Sequence, residues 1–294
     1  MAQTKTEILS LLAAAETHPR HRFGQNFMID QNLVKLIADA GLIGPKDLVI
    51  EVGPGTGTLT DELLQRAAEV VAVEIDRDLA GMLRERYSAQ PKLRLVEGDA
   101  LAGKHELNQH LTTSIEQAQS AGRAVKLVAN LPYNIASPLV VELLSAGVEL
   151  LVFTVQREVA DRLRAAHGGE DYGPLTVMTQ MLGTVEVMRV LPPSAFFPPP
   201  KIDSALVRIR RADKLGKDAR EFSRFVQSVF SSRRKTMRKA LTLAGHDASM
   251  LAKAAIDEQI RPEGLTPADF WRLYLLCTAA GAGGTAAEGT ARAD

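Results

Sequence analysis

Asn130-Leu131-Pro132-Tyr133 concentrates more chemistry than any other four residues of the chain, directly after the apolar run Leu127-Val128-Ala129. The amine of a base such as adenine is a poor nucleophile, because its lone pair is delocalised into the ring. A catalyst for its alkylation must accept hydrogen bonds from the amino hydrogens. The Asn130 side-chain oxygen and the Leu131 carbonyl supply two such acceptors, Pro132 stiffens the turn, and Tyr133 offers a ring on which a base can stack. No general base is required, since the proton leaves easily once the nitrogen is alkylated. The same residues also allow a plain Asn-x-Pro turn with a packing tyrosine.

A second constellation lies upstream. Ile50-Glu51-Val52-Gly53-Pro54-Gly55-Thr56-Gly57 is an apolar run that breaks into alternate glycines and opens an amphipathic segment. Such glycines permit positive φ and remove Cβ atoms that would hold a sugar or phosphate off the main chain. A dinucleotide fingerprint would need glycine or alanine at 58, where Thr58 stands. A structural strand-to-helix corner is the alternative. A further β-branched run, Val70-Val71-Ala72-Val73, ends in Glu74, about twenty residues on, where nucleotide-binding α/β units place a carboxylate for a ribose diol. Gly98-Asp99-Ala100 follows a third run; Asp99 suits either a ligand or a helix cap.

These residues need a scaffold that delivers strand ends to one place. Strands are predicted at 47–52, 70–74, 93–97, 126–129, 184–190 and 204–210, with helices at 7–16, 58–67 and 78–87. The alternation implies a parallel sheet with right-handed crossovers, and ligands gather at the carboxyl ends of such strands. Residues 102–124 read as a polar surface insertion containing a helix. Ser137-Pro138 reads as a helix start. Residues 212–218 form a linker. Beyond it Phe222, Phe225, Val226, Val229 and Phe230 recur at helical spacing, Thr266-Pro267-Ala268-Asp269 caps a last helix with Trp271 and Tyr274, and residues 279–294 read as a disordered tail.

The acid-first alternate-glycine pattern resembles motif I of the S-adenosylmethionine (SAM) methyltransferases. Gly24-Gln25-Asn26-Phe27-Met28 is similar to the segment of the rRNA adenine dimethyltransferases that folds over the methionine end of SAM, with Met28 where leucine is usual. Asn130-Leu131-Pro132-Tyr133, Phe153 to Leu163, Tyr172 to Val177 and the proline loop Pro192 to Ala205 continue the match. The chain resembles the bacterial 16S rRNA adenine-N6,N6-dimethyltransferases, the KsgA family, over residues 20 to 276.

The resemblance implies an α/β fold: a Rossmann-like SAM-dependent methyltransferase sheet, mostly parallel with an antiparallel terminal strand, plus a small all-α C-terminal domain. It implies a catalytic domain at 1–211 and a helical RNA-contacting domain at 219–277. Asn26, Met28, Gly53, Gly55, Glu74, Asp99, Ala100 and Asn130 would hold SAM. Asn130, Leu131, Pro132 and Tyr133 would act on the base, with Phe196 closing a ring sandwich opposite Tyr133; a buried loop anchor is the other reading of Phe196. The implied reaction dimethylates two adjacent adenosines near the 3′ end of 16S rRNA in the small ribosomal subunit or its precursor. A 23S rRNA methyltransferase of the resistance type and a non-catalytic assembly factor on the same fold are the rivals.

Composition bounds the rest. The 294 residues are 46% apolar with zero net charge, which gives no global argument for a nucleic-acid partner. One cysteine and scattered histidines argue against disulfides and metal sites, and no apolar run approaches membrane-spanning length, so a cytoplasmic monomer is expected. Basic residues bunch at Arg20-His21-Arg22 and at Arg233, Arg234, Lys235, Arg238 and Lys239. A charge run is usually a solvated face; this one holds no acid, which favours a phosphate backbone.

Overall fold

The computed structural model describes residues 3–20, 23–103 and 105–284. His21, Arg22, Lys104 and the tail from 285 lie outside the described residues. The chain divides into two compact units: one comprises residues up to Asp161 and Gly183–Ala212, the other Arg162–Leu182 and the chain from Asp213.

The first unit is built on seven strands: β1 (Leu48–Val52), β2 (Glu69–Glu74), β3 (Leu93–Glu97), β4 (Val125–Asn130), β5 (Leu150–Gln156), β6 (Gly183–Leu191) and β7 (Ser204–Arg211). Their spatial order is β3-β2-β1-β4-β5-β7-β6. The first five pair in parallel, and β7, last in the chain, runs antiparallel between β5 and β6. Every residue of β1 is buried, as a strand covered on both faces requires.

Helices follow their local chemistry. α1 (Lys5–Ala14) starts with a reciprocal capping box between Thr4 and Glu7. Asp30 caps α2 (Gln31–Ala40), and Asp76 caps α4 (Arg77–Arg86). α3 (Thr58–Arg66) leaves directly from the left-handed Gly57. α5 (Gln109–Ser120) corrects the surface-insertion reading of 102–124. Its Leu111, Ile115 and Ala118 are buried at helical spacing, and it packs on β4 as the crossover from β3. Three apolar positions in a polar segment suffice to dock a helix. α6 (Ala136–Ser145) begins one residue before Ser137, because the Pro132–Ile135 turn already winds the chain; no side-chain cap is used.

The second unit takes in more chain than 219–277. α7 (Arg157–Arg164) carries the chain out of the first unit, and α8 (Pro174–Leu182) lies wholly in the second. Residues 162–182 group with the helical unit rather than with a domain at 1–211. Val177, Met178, Met181 and Leu182 are all buried, α8 packs on α9 (Ala219–Phe230), and the Tyr172 and Phe230 rings meet at 6.2 Å. After α10 (Met237–Leu243) and α11 (Ser249–Lys253), α12 (Pro267–Gly284) completes the bundle. Thr266 and Asp269 bond reciprocally at its start, and Phe222 meets Trp271 and Tyr274 at 5.3 and 5.5 Å. The helix continues through Gly284, past the expected start of the tail at 279, since each added residue of a formed helix gains a backbone bond.

Candidate active site

One cavity in the first unit is lined by Asn26, Met28, Gly53, Gly55, Glu74, Asp99, Ala100 and Asn130, together with Glu51 and Pro132. The fold therefore brings all eight of the cofactor candidates together, at the carboxyl ends of β1, β2, β3 and β4 as the parallel sheet dictates.

The glycine loop is held from behind by protein. The Thr56 carbonyl accepts from Gln3 Nε2 at 2.9 Å and Arg86 Nη1 at 2.8 Å, and the Tyr87 hydroxyl reaches the Gly57 carbonyl at 3.0 Å. A Cβ on Gly55, whose φ is +61°, would stand 2.9 Å from the Phe27 ring; one on Gly53, at φ +73°, would stand 3.2 Å from Pro132. The missing Cβ atoms clear room for the chain's own side chains.

Two buried carboxyl groups face the cavity. Glu74 receives the Gly55 amide at 3.1 Å on one oxygen and the Asp76 amide at 3.0 Å on the other. Burial pushes its pKa up to about 7, against the pull of those amides. Glu51 accepts from the Thr60 hydroxyl at 2.7 Å, and burial pushes it up to about 8. Asp99 is exposed at the rim, with one oxygen bonded to the Leu101 amide at 3.0 Å.

A strap over residues 24–29 covers one side. Gln25 and Arg20 both donate to the buried Asp76 carboxylate, each at 2.9 Å, and Arg20 also pairs with Asp78. Phe27 and Met28 form a two-residue antiparallel ladder with Phe197 and Phe196. That ladder corrects the ring sandwich: alternation along it turns Phe196 into the core beside Met28, Leu191, Ala195 and Leu206, at 2% exposure, with its ring covered. Phe197 is the half-buried ring, with Lys5 Nζ 4.9 Å above it. Phe196 is thus a loop anchor.

Asn130 ends β4 opposite Thr154 of β5. Its Nδ2 donates to the Asn26 carbonyl at 2.7 Å, and its Oδ1 accepts from the Thr154 hydroxyl. Leu131 is buried, Pro132 lines the cavity, and Tyr133 is half-buried with its hydroxyl 2.8 Å from Ser204 Oγ. Sequence reasoning missed Glu51, Gln3, Gln25, Thr154 and Ser204 as site residues. Glu51 opens the glycine motif and could have been found; the others act through partners 24 to 71 residues away in sequence.

In the second unit the basic run is exposed, but two of its members have acidic partners. Arg233 lies 3.7 Å from Glu263, and Arg238 donates to Glu258 at 3.1 Å. Arg234 and Lys235 are exposed beside them.

Comparison with known proteins agrees with this arrangement. A family model described as ribosomal RNA adenine dimethylase matches residues 17–278. Proteins named ribosomal RNA small subunit methyltransferase A are similar along almost their whole length. That of Magnetococcus marinus is 41% identical over 261 residues, 87% of this chain and 90% of its own. That of Pseudomonas syringae pv. tomato is 39% identical over 259 residues, 86% of this chain and 92% of its own. Among solved structures, the 23S rRNA methyltransferase ErmE superposes with a TM-score of 0.59 at 29% identity, covering 86% of this chain and all of that one. A match that runs from the strap through the last helix, with the glycine loop and Asn130 turn inside it, makes this chain a member of the ribosomal RNA adenine dimethylase family.

Proposed function

We propose that the protein uses SAM to dimethylate the N6 amines of two adjacent adenosines in the 3′-terminal hairpin of 16S rRNA, within the small ribosomal subunit or its precursor. The observation that carries this reading is the position of Asn130 at the carboxyl end of β4, on the wall of the cavity shared by the glycine loop and Glu74.

The residues present fit SAM. Each Glu74 oxygen uses one lone pair on a backbone amide, which leaves acceptor capacity for both hydroxyls of a ribose diol. Asp99 keeps one oxygen for an adenine amine, beside the Ala100 amide. Asn26 and Met28 would enclose the methionine end. SAM supplies an electrophilic methyl when bound. The chain supplies orientation: Asn130 Oδ1 and the Leu131 carbonyl accept the amino hydrogens of the target and aim its lone pair, and Tyr133 stacks on the base. Phosphate contacts are assigned to Arg233, Arg234, Lys235 and Arg238; ion pairing of Arg233 and Arg238 shifts the weight to Arg234 and Lys235.

Identities of 39% and 41% to small-subunit enzymes, against 29% to a 23S enzyme, favour the 16S target. A retained Glu74, Asp99 and Asn130 favour an enzyme over a non-catalytic factor. No helix among the described residues is long and apolar enough to cross a membrane, and we place the protein in the cytoplasm as a monomer, where subunits are assembled. The test is methylation of undermethylated 30S particles with labelled SAM, followed by nucleoside analysis. Label in N6,N6-dimethyladenosine of 16S rRNA is expected; label confined to 23S rRNA, or none in adenosine, would defeat the reading.

A further inference from the structure

Thr154 lies in the stretch Phe153 to Leu163 and carries no role in the reading above. It stands in an apolar strand, between the buried Phe153 and Val155, and is itself 0% exposed. Strand pairing sets it directly across from Asn130, and its hydroxyl donates to Asn130 Oδ1. On the other side, Asn130 Nδ2 donates to the Asn26 carbonyl at 2.7 Å. A carbonyl can only accept, so Asn26 fixes which end of the amide is nitrogen. The Thr154 hydroxyl then fixes the rotation of the oxygen end about a torsion that is otherwise broad. An amide oxygen has two lone pairs, and one is left for an amino hydrogen of the target base.

We propose that Thr154 is a positioning residue for methyl transfer, locking the Asn130 amide with its second lone pair turned toward the acceptor amine. The proposal rests on the methyl-transfer reading above. A merely structural role makes a different prediction. If Asn130 only satisfies a buried threonine hydroxyl, replacing that hydroxyl by a methyl of the same shape costs stability, because Asn130 Oδ1 loses its donor, and leaves transfer by the folded protein untouched.

The experiment compares Thr154→Val and Thr154→Ser with the unsubstituted chain in single-turnover methylation of 30S particles at saturating SAM, with SAM affinity by calorimetry and melting temperature alongside. Thr154→Val is expected to slow transfer by about tenfold to a hundredfold, the scale of a misplaced catalytic group, with SAM affinity changed by less than about twofold. Thr154→Ser, which keeps the hydroxyl but loses a methyl, is expected to restore most of the rate. Parental transfer by Thr154→Val overturns the proposal. So does a loss that Thr154→Ser fails to repair, or one accounted for by lost SAM binding or by unfolding at the assay temperature, since either assigns the residue to packing. The unsubstituted chain separates this failure from the larger one: its inactivity on the particles would overturn the reaction itself, whereas an active parent beside an equally active valine variant removes only the role of Thr154.

Discussion

The proposed cofactor and acceptor sides of the site are made of different chemistry. The cofactor end presents Glu51 and Glu74, buried carboxyl groups whose pKa values rise to about 8 and about 7. The proposed acceptor side lies at the Asn130 turn, where Thr154 bonds the Asn130 amide on the cavity wall and Ser204 bonds the hydroxyl of the half-buried Tyr133. Burial raises the Tyr133 phenol further from neutrality. One end therefore titrates near pH 7 and the other does not. Binding of the cofactor should depend on pH, while transfer within the filled site should not.

The strongest break of the acceptor end is Asn130→Ala. It should raise the transfer barrier by about 2–4 kcal/mol, the scale of one lost preorganised contact, and lower transfer far more than it lowers SAM affinity. Single-turnover rates at saturating SAM measure this, and near-normal transfer would reduce the motif to a turn. At the cofactor end, Glu74→Ala should weaken SAM binding by roughly 1–3 kcal/mol in calorimetry. A ribose diol donates to the ionised carboxylate, so the affinity of the unsubstituted chain should climb from pH 6 and level off above about pH 7, with proton release on binding. Transfer at saturating SAM should stay flat over that range. A transfer rate that follows the same titration would erase the distinction between the two ends.

Glu51 sharpens the same contrast through stability. Its folded-state pKa lies above the ordinary value of 4.5, so the stability tied to its neutral form is complete below that value and is lost as pH rises through about 8. Each pH unit in between removes at most about 1.4 kcal/mol. Glu51→Gln keeps the shape and cannot ionise. Its melting temperature should fall less between pH 6.5 and 9 than that of the unsubstituted chain, and parallel curves would show that Glu51 is already ionised at neutral pH. Tyr133→Phe should have a smaller effect, about 0.5–1.5 kcal/mol in transfer, because the ring remains and only the bond to Ser204 is lost. Replacing Arg234 and Lys235 with Ala should leave both ends intact and lower the salt slope of particle binding by up to about two units. An unchanged slope would mark those cations as a solvated face.

The cavity lining was legible because its signals are local. Alternate glycines, a carboxylate at the end of a β-branched run and the Asn-Leu-Pro-Tyr turn are each read within a few residues, and parallel strands send their carboxyl ends to one edge. The same locality misled at Phe196, where a ring in a stiff loop looked available. Only pairing with Met28 shows which way it faces. The basic run read as free of acids for the same reason. Glu258 and Glu263 lie 20 and 30 residues along the chain from the arginines they meet.

The sequence by itself determined the strand and helix types, the glycine turn, the acids at strand ends and the family. These follow from side-chain periodicity and backbone preference, which act over a few residues. Tertiary structure alone decided that α5 docks on β4, that residues 162–182 join the helical unit, and that Thr154 faces Asn130. Each depends on strand register or on the meeting of distant faces. A register is set by the sum of many weak contacts along the whole strand, and shifting it by one residue would turn Thr154 to the opposite face of the sheet.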